Sequence, residues 1–154
     1  MVYSFRGEQL DEDLRHEVAH ALLHGVIRDL PLWLDEGLAE YFESPTAAGG
    51  IHAQHLLELH SAIQQGWHPS LTRLETLTQV GQMTRDDCRE AWGWIRFLLH
   101  GSPEGRRVLV SYLADLRTGD VSEPLRSRLF RSVPRADAPL IQHLLGAQGH
   151  AKTG

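Results

Sequence analysis

The segment His16-Glu17-Val18-Ala19-His20 places two imidazoles four residues apart with a carboxylate between them. On an α-helix such a pair is separated by about 6 Å along the axis and about 40° around it. Both rings can therefore reach one ion from the same face, and zinc is the ion that most often uses this spacing. Glu17 falls on the neighbouring edge of that face. From there its carboxylate reaches an attacking water rather than completing the ligand set, which is the placement a general base requires. The chemistry this pattern points to is hydrolysis assisted by a metal ion.

A catalytic zinc site needs three protein ligands and one open position. The second part of the pattern is Trp33-Leu34-Asp35-Glu36-Gly37-Leu38-Ala39-Glu40-Tyr41-Phe42. Glu36 supplies the third ligand from a helix close enough to pack on the first. Gly37 removes a side chain where the two helices approach. Glu40 lies one turn beyond Glu36 and is expected to accept a hydrogen bond from a liganding histidine, which fixes its tautomer and raises its basicity. Two imidazoles and one carboxylate with an open position suit zinc, one ion per chain.

The His16–His20 helix followed by Pro31-Leu32-Trp33-Leu34-Asp35-Glu36-Gly37-Leu38-Ala39-Glu40-Tyr41-Phe42-Glu43 resembles the gluzincin zinc peptidases. That group includes thermolysin and the aminopeptidase N family. The likeness is strongest to the peptidase MA-like domains of largely uncharacterised bacterial proteins, and its specific part covers residues 14 to 43. The resemblance implies His16, His20 and Glu36 as zinc ligands, Glu17 as catalytic base and Glu40 as the support of a ligand. It implies a zinc metallopeptidase acting on a peptide or protein. A non-catalytic zinc-binding domain, serving as a scaffold or interaction module of a larger protein, is the alternative. Gluzincins place a sheet before this helix, and only Val2 to Arg6 is available here for one strand. The rest of the sheet lies upstream, or the chain is a minimal version without it. These peptidases also carry a later Tyr or His that stabilises the oxyanion. The matching position here is Cys88. His100 and Tyr112 are weak substitutes, read more plainly as a helix-end residue and a core ring.

The elements that position these residues are mostly helical. Gly7 is expected to separate the Val2 to Arg6 strand from a helix over Gln9 to His24, capped by Gly25 and patterned by Leu10, Leu14, Val18, Ala21 and Leu22. Further helices are expected over Pro31 to Glu43, Ile51 to Gln65, Leu71 to Leu77, Arg85 to His100, Pro103 to Arg117, Glu123 to Arg131 and Ala136 to Leu145. Gly66, Gly101 and Gly119 punctuate them, Pro45 follows the second, Thr46 to Gly50 is a loop and Gly146 to Gly154 frays. The expected fold is a compact, mostly α domain, α+β at most, spanning 1–154 as one zincin-like unit. Its HExxH helix packs on the Glu-ligand helix beside at most a small N-terminal sheet.

Composition narrows the functions. A net charge of −5 disfavours a nucleic-acid footprint. The single cysteine excludes an internal disulfide and a Cys-rich zinc cage, so any metal must rest on carboxylates and the ten histidines. Met1 to Glu8 lack a signal-peptide pattern, and no stretch nears the roughly 20 apolar residues of a membrane span, so a soluble domain is expected. His24 lies too far from His16 to share its ion. His52, His55 and His60 lack the carboxylate pattern of a second site, and Glu43 reads as a surface residue. Trp92 and Trp94 cannot face the same side, so one is expected in the core and the other at a cleft or contact surface. Arg106, Arg107, Arg126, Arg128 and Arg131 read as solvated faces.

Overall fold

The computed structural model describes residues 2–44 and 51–147, the side chains of 2–6 excepted. Pro45 and the expected loop at 46–50 lie outside the described residues, as does the tail from 148. Eight α-helices follow one another: α1 Val2–Val26, α2 Leu32–Glu43, α3 Ala53–Gln64, α4 Leu71–Thr76, α5 Arg85–His100, α6 Pro103–Thr118, α7 Leu125–Ser132 and α8 Asp137–Gly146. A short 3-10 turn, Val80–Gln82, precedes α5. No strand occurs among the described residues. None of their helices is long and apolar enough to cross a membrane.

The expected N-terminal strand is instead the first turns of α1, which runs through Gly7 and Gly25 to Val26. A five-residue strand has no partner here for its backbone groups, whereas a helix satisfies them locally. A helix-interior glycine costs about 1 kcal/mol relative to alanine, too little to stop a helix that continues on both sides. The other elements fall within a few residues of their expected positions because their ends carry local signals. Thr84 and Asp87 form a capping box that opens α5. Ser102 caps α6, Pro103 occupies its first position, and Gly119 closes it at φ 81°.

α5 is the centre of the fold. Its side chains from Glu90 to Leu98 are all buried, as befits a helix surrounded on every side. Trp92 and Trp94 are therefore both fully buried, and neither lines a surface as expected. α2, α3, α6 and α8 pack around α5, and α1 lies on the outside against α2. The buried apolar side chains form one contiguous cluster.

Gly37 is the closest approach in this packing, and its neighbour is α5 rather than α1. A Cβ there would lie 2.8 Å from the Ala91 carbonyl oxygen and 2.8 Å from Ile95 Cγ1. Gly37→Ala should gain about 1 kcal/mol of helix propensity and lose about 2–3 kcal/mol to overpacking against the Ala91 backbone. The expected result is a thermal midpoint lowered by several degrees; a midpoint equal to or above that of the wild-type protein would refute this contact.

The apolar pattern of α1 also faces an unexpected way. Leu10, Leu14, Val18, Leu22 and Val26 are turned to solvent. The side chains α1 directs inward are Ala19 and, partly, Leu23, together with His16 and His20, and Ile27 just beyond its end is buried too. The histidine face of α1 is the face that meets α2.

Candidate metal centre

α1 brings His16 and His20 together with their ring centroids 4.7 Å apart. Their Nε2 atoms are 3.1 Å apart. Glu36 rises from α2 to the same point, with its Oε2 3.8 Å from His16 Nε2 and 3.7 Å from His20 Nε2. All three side chains are about one-fifth exposed, so they sit at a partly open surface of the helix pair. A point equidistant from the three donor atoms lies about 2.1 Å from each, the length of a zinc–imidazole or zinc–carboxylate bond. The three residues expected as ligands thus come together in a geometry that fits the ion.

The outer nitrogens of both rings confirm which atoms are free. His16 Nδ1 is 3.1 Å from Glu43 Oε2, and His20 Nδ1 is 2.8 Å from Asp35 Oδ1. A carboxylate only accepts, so each Nδ1 must donate. In the neutral ring that leaves the Nε2 lone pair unprotonated. Two bare lone pairs facing each other across 3.1 Å repel; a proton on one ring, which the Glu43 hydrogen bond favours on His16, or a cation between the rings relieves this, and the Glu36 carboxylate is placed as a third donor for such a cation.

The supporting carboxylates differ from expectation. Glu40 lies close to His16 and Glu43, but its hydrogen bond comes from His55 Nε2, 2.6 Å from Glu40 Oε2. The carboxylates that hold the His20 and His16 rings are Asp35 and Glu43, one position before Glu36 and one turn beyond Glu40 along α2. Glu43 is no surface residue. His52 Nε2 lies 3.4 Å from its Oε1, and Arg15 Nε donates to its backbone carbonyl at 2.6 Å. Burial alone would raise the Glu43 pKa, yet the hydrogen bonds from His16 and His52 and their charge hold it at about 2. For Glu36 burial is the largest influence and raises its pKa; His20 and His16 oppose it, and Asp35 and Glu40 reinforce it.

Each supporting carboxylate also meets an outer histidine. Asp35 Oδ2 accepts from His24 Nε2 at 2.8 Å, while Glu43 meets His52. His24, expected to lie too far from His16 to share its ion, is instead tied to His20 through Asp35. His60 points elsewhere and donates to the Leu144 carbonyl. Glu40, His52 and His55 come within 4.8 Å of one another, but they are poorly set to hold a second ion. His52 Nδ1 accepts the His55 backbone N–H as the cap of α3, so its Nε2 carries the ring proton.

Glu17 is exposed on α1 and stands outside the ligand cluster. It has no hydrogen bond or ion pair among the described residues, so its carboxylate is free to meet a substrate or water. The weak oxyanion candidates are engaged elsewhere. His100 Nε2 is 2.7 Å from the Tyr41 hydroxyl, and its ring stacks on Tyr41. Tyr112 is buried in the core with the Arg128 guanidinium over its ring. Cys88 is the candidate that borders the centre: burial first, then the carboxylates of Glu36, Glu40 and Asp87, push its thiol up to about 12. It is a neutral S–H near the ligands, a weak donor rather than an anion.

Scanned against models of known protein families, curated proteins and solved structures, the chain matches none.

Proposed function

We propose that this chain is a zinc-dependent metallopeptidase, with His16, His20 and Glu36 as the ligands of one zinc ion and Glu17 as the general base. The observation that carries this reading is the convergence of three donor atoms, the two imidazole nitrogens among them turned inward by Asp35 and Glu43. A purely structural zinc site closes its coordination with a fourth protein ligand, and the ligand cluster here offers three. When bound, zinc supplies a Lewis acid that polarises the scissile carbonyl and lowers the pKa of water.

The chain's own groups divide the remaining work. His16 and His20 present Nε2 and keep their Nδ1 protons on carboxylates. Asp35 and Glu43 hold the two rings in that orientation and raise their basicity. Glu17 takes a proton from the attacking water as its oxygen bonds to the carbonyl carbon, and then delivers that proton to the amine nitrogen, which leaves as the peptide C–N bond breaks.

A non-catalytic zinc-binding module is the second reading. Cys88 favours it: it is the sequence position that matches the donor of the peptidases this chain resembles, and a thiol is a weak hydrogen-bond donor. Two measurements separate the readings. Elemental analysis of the purified chain should give one zinc per molecule, and a mixed peptide library should be cleaved at a rate that chelation abolishes and added zinc restores. Zinc without cleavage of any peptide would favour the module, and failure to take up zinc would remove both.

A further inference from the structure

The conventional supports of the liganding histidines are Asp35 and Glu43, but the packing extends one layer beyond Glu43. We infer that His52 is a positioning residue for the metal centre, acting on His16 through Glu43 and tying the affinity of the site to the docking of α3. This rests on the zinc reading given above.

The argument begins with the ring of His52. Its Nδ1 accepts the backbone N–H of His55 at 3.3 Å, capping the first turn of α3. A neutral imidazole that accepts at one nitrogen carries its proton on the other. His52 Nε2 therefore presents an N–H, and the atom it faces is Glu43 Oε1 at 3.4 Å. The ring has little freedom to turn away. It stacks on His55 with centroids 3.7 Å apart and planes 14° apart, and it meets the buried Trp92 edge-on at 6.4 Å. His55 is in turn held by Glu40 at 2.6 Å.

Glu43 needs such a hold. It is the last residue of α2, where helices fray, and its carboxylate would otherwise rotate among several orientations. With one oxygen held by His52, the other is aimed at His16 Nδ1, 3.1 Å away. His16 is thereby kept in the Nδ1–H tautomer that leaves Nε2 for the ion. Holding the carboxylate in advance lowers the ordering cost of binding, so affinity rises without any new contact to the metal.

His52→Ser separates this role from mere capping. Serine is among the best N-cap residues and keeps α3 started, but it cannot reach Glu43 with a donor. Zinc affinity would be measured by competition with a chromogenic chelator for the wild-type chain, His52→Ser, Glu43→Gln and the double variant. Long-range ¹H–¹⁵N spectra of the metal-free chains would read the tautomer of His16 directly. The expected result is zinc binding weakened about tenfold in His52→Ser, with the double variant no weaker than Glu43→Gln alone because the two act in series. The spectra should show His16 losing its Nδ1–H preference in His52→Ser. Wild-type affinity and an unchanged His16 tautomer in His52→Ser would overturn the inference while leaving the zinc reading intact. A wild-type chain that binds no zinc would overturn the zinc reading, and the spectra would still decide whether His52 sets the His16 tautomer.

Discussion

Glu17→Gln should keep one zinc per chain and lower peptide hydrolysis by a factor on the order of 10³, within the range that a positioned general base contributes. Glutamine has the same length and shape as glutamate but cannot take a proton at neutral pH. Because Glu17 is exposed and lies outside the ligand cluster, the exchange breaks no contact among the described residues. Fold and metal content should therefore be unaffected, and the loss should appear in kcat more than in KM. The measurement is turnover of a fluorogenic peptide by the variant, with zinc content and thermal midpoint determined on the same preparation. Undiminished turnover with zinc retained would remove Glu17 from the base role. A variant that also loses zinc would show that Glu17 is part of the ligand set.

Glu36→Ala should have the largest effect on the metal. It removes one of three converging donors and leaves the two Nε2 atoms 3.1 Å apart with no protein oxygen between them and the open side. Loss of a group that merely orients a ligand costs about 10–100-fold in affinity, so loss of a ligand should cost more than a hundredfold. Glu36 is also a half-buried carboxylate whose pKa is raised by burial, so its removal relieves a desolvated charge and should leave the metal-free fold close to native. The two states can be read in one experiment. At a free zinc concentration 100 times Kd the wild-type chain should gain about 2.7 kcal/mol of stability, which for a chain of this size is a rise of roughly 5–10 °C in midpoint. In Glu36→Ala that zinc-dependent rise should vanish, with the metal-free midpoint little changed. An undiminished rise would place the ion elsewhere, at another donor group such as His20, His24 and Asp35 or His16, Glu40 and Glu43.

Much of the centre was legible because helical spacing is local. His16 and His20 share a face whatever surrounds α1, and α2 carries carboxylates at positions 35, 36, 40 and 43 from which a partner can be drawn once the two helices pack. The element boundaries of α5 and α6 were legible for the same reason, since their caps are written in adjacent residues such as Thr84, Asp87, Ser102 and Gly119. The supporting residues were not. Glu40 and Glu43 both lie near the Glu36 face, and choosing between them requires the rotation of α2 about its own axis. That rotation is fixed where Gly37 meets Ala91 on α5, a contact 54 positions away in the chain. The result sends Glu40 to His55 and Glu43 to His16.

The apolar positions of α1 mark the limit of the same reasoning. Leu10, Leu14, Val18 and Leu22 correctly announce a helix, and such a stripe ordinarily faces the core. Here it faces solvent, and the face carrying His16, Ala19, His20 and Leu23 is the one that meets α2. Trp92 and Trp94 show the converse: residues on different sides of α5 are both buried, since that helix is surrounded.

The sequence by itself determined that the described chain is mostly helical, and that His16 and His20 share one helix face with Glu17 next to His16 in the chain. Spacing within a helix and caps at its ends suffice for that. Only the tertiary structure decided that Val2 to Arg6 is helix, that Glu36 meets the two imidazoles, that Asp35 and Glu43 hold the His20 and His16 rings, and that His24 and His52 stand behind those carboxylates. Each of these depends on how one helix is turned and seated against another, and that is settled by packing between residues far apart in the chain.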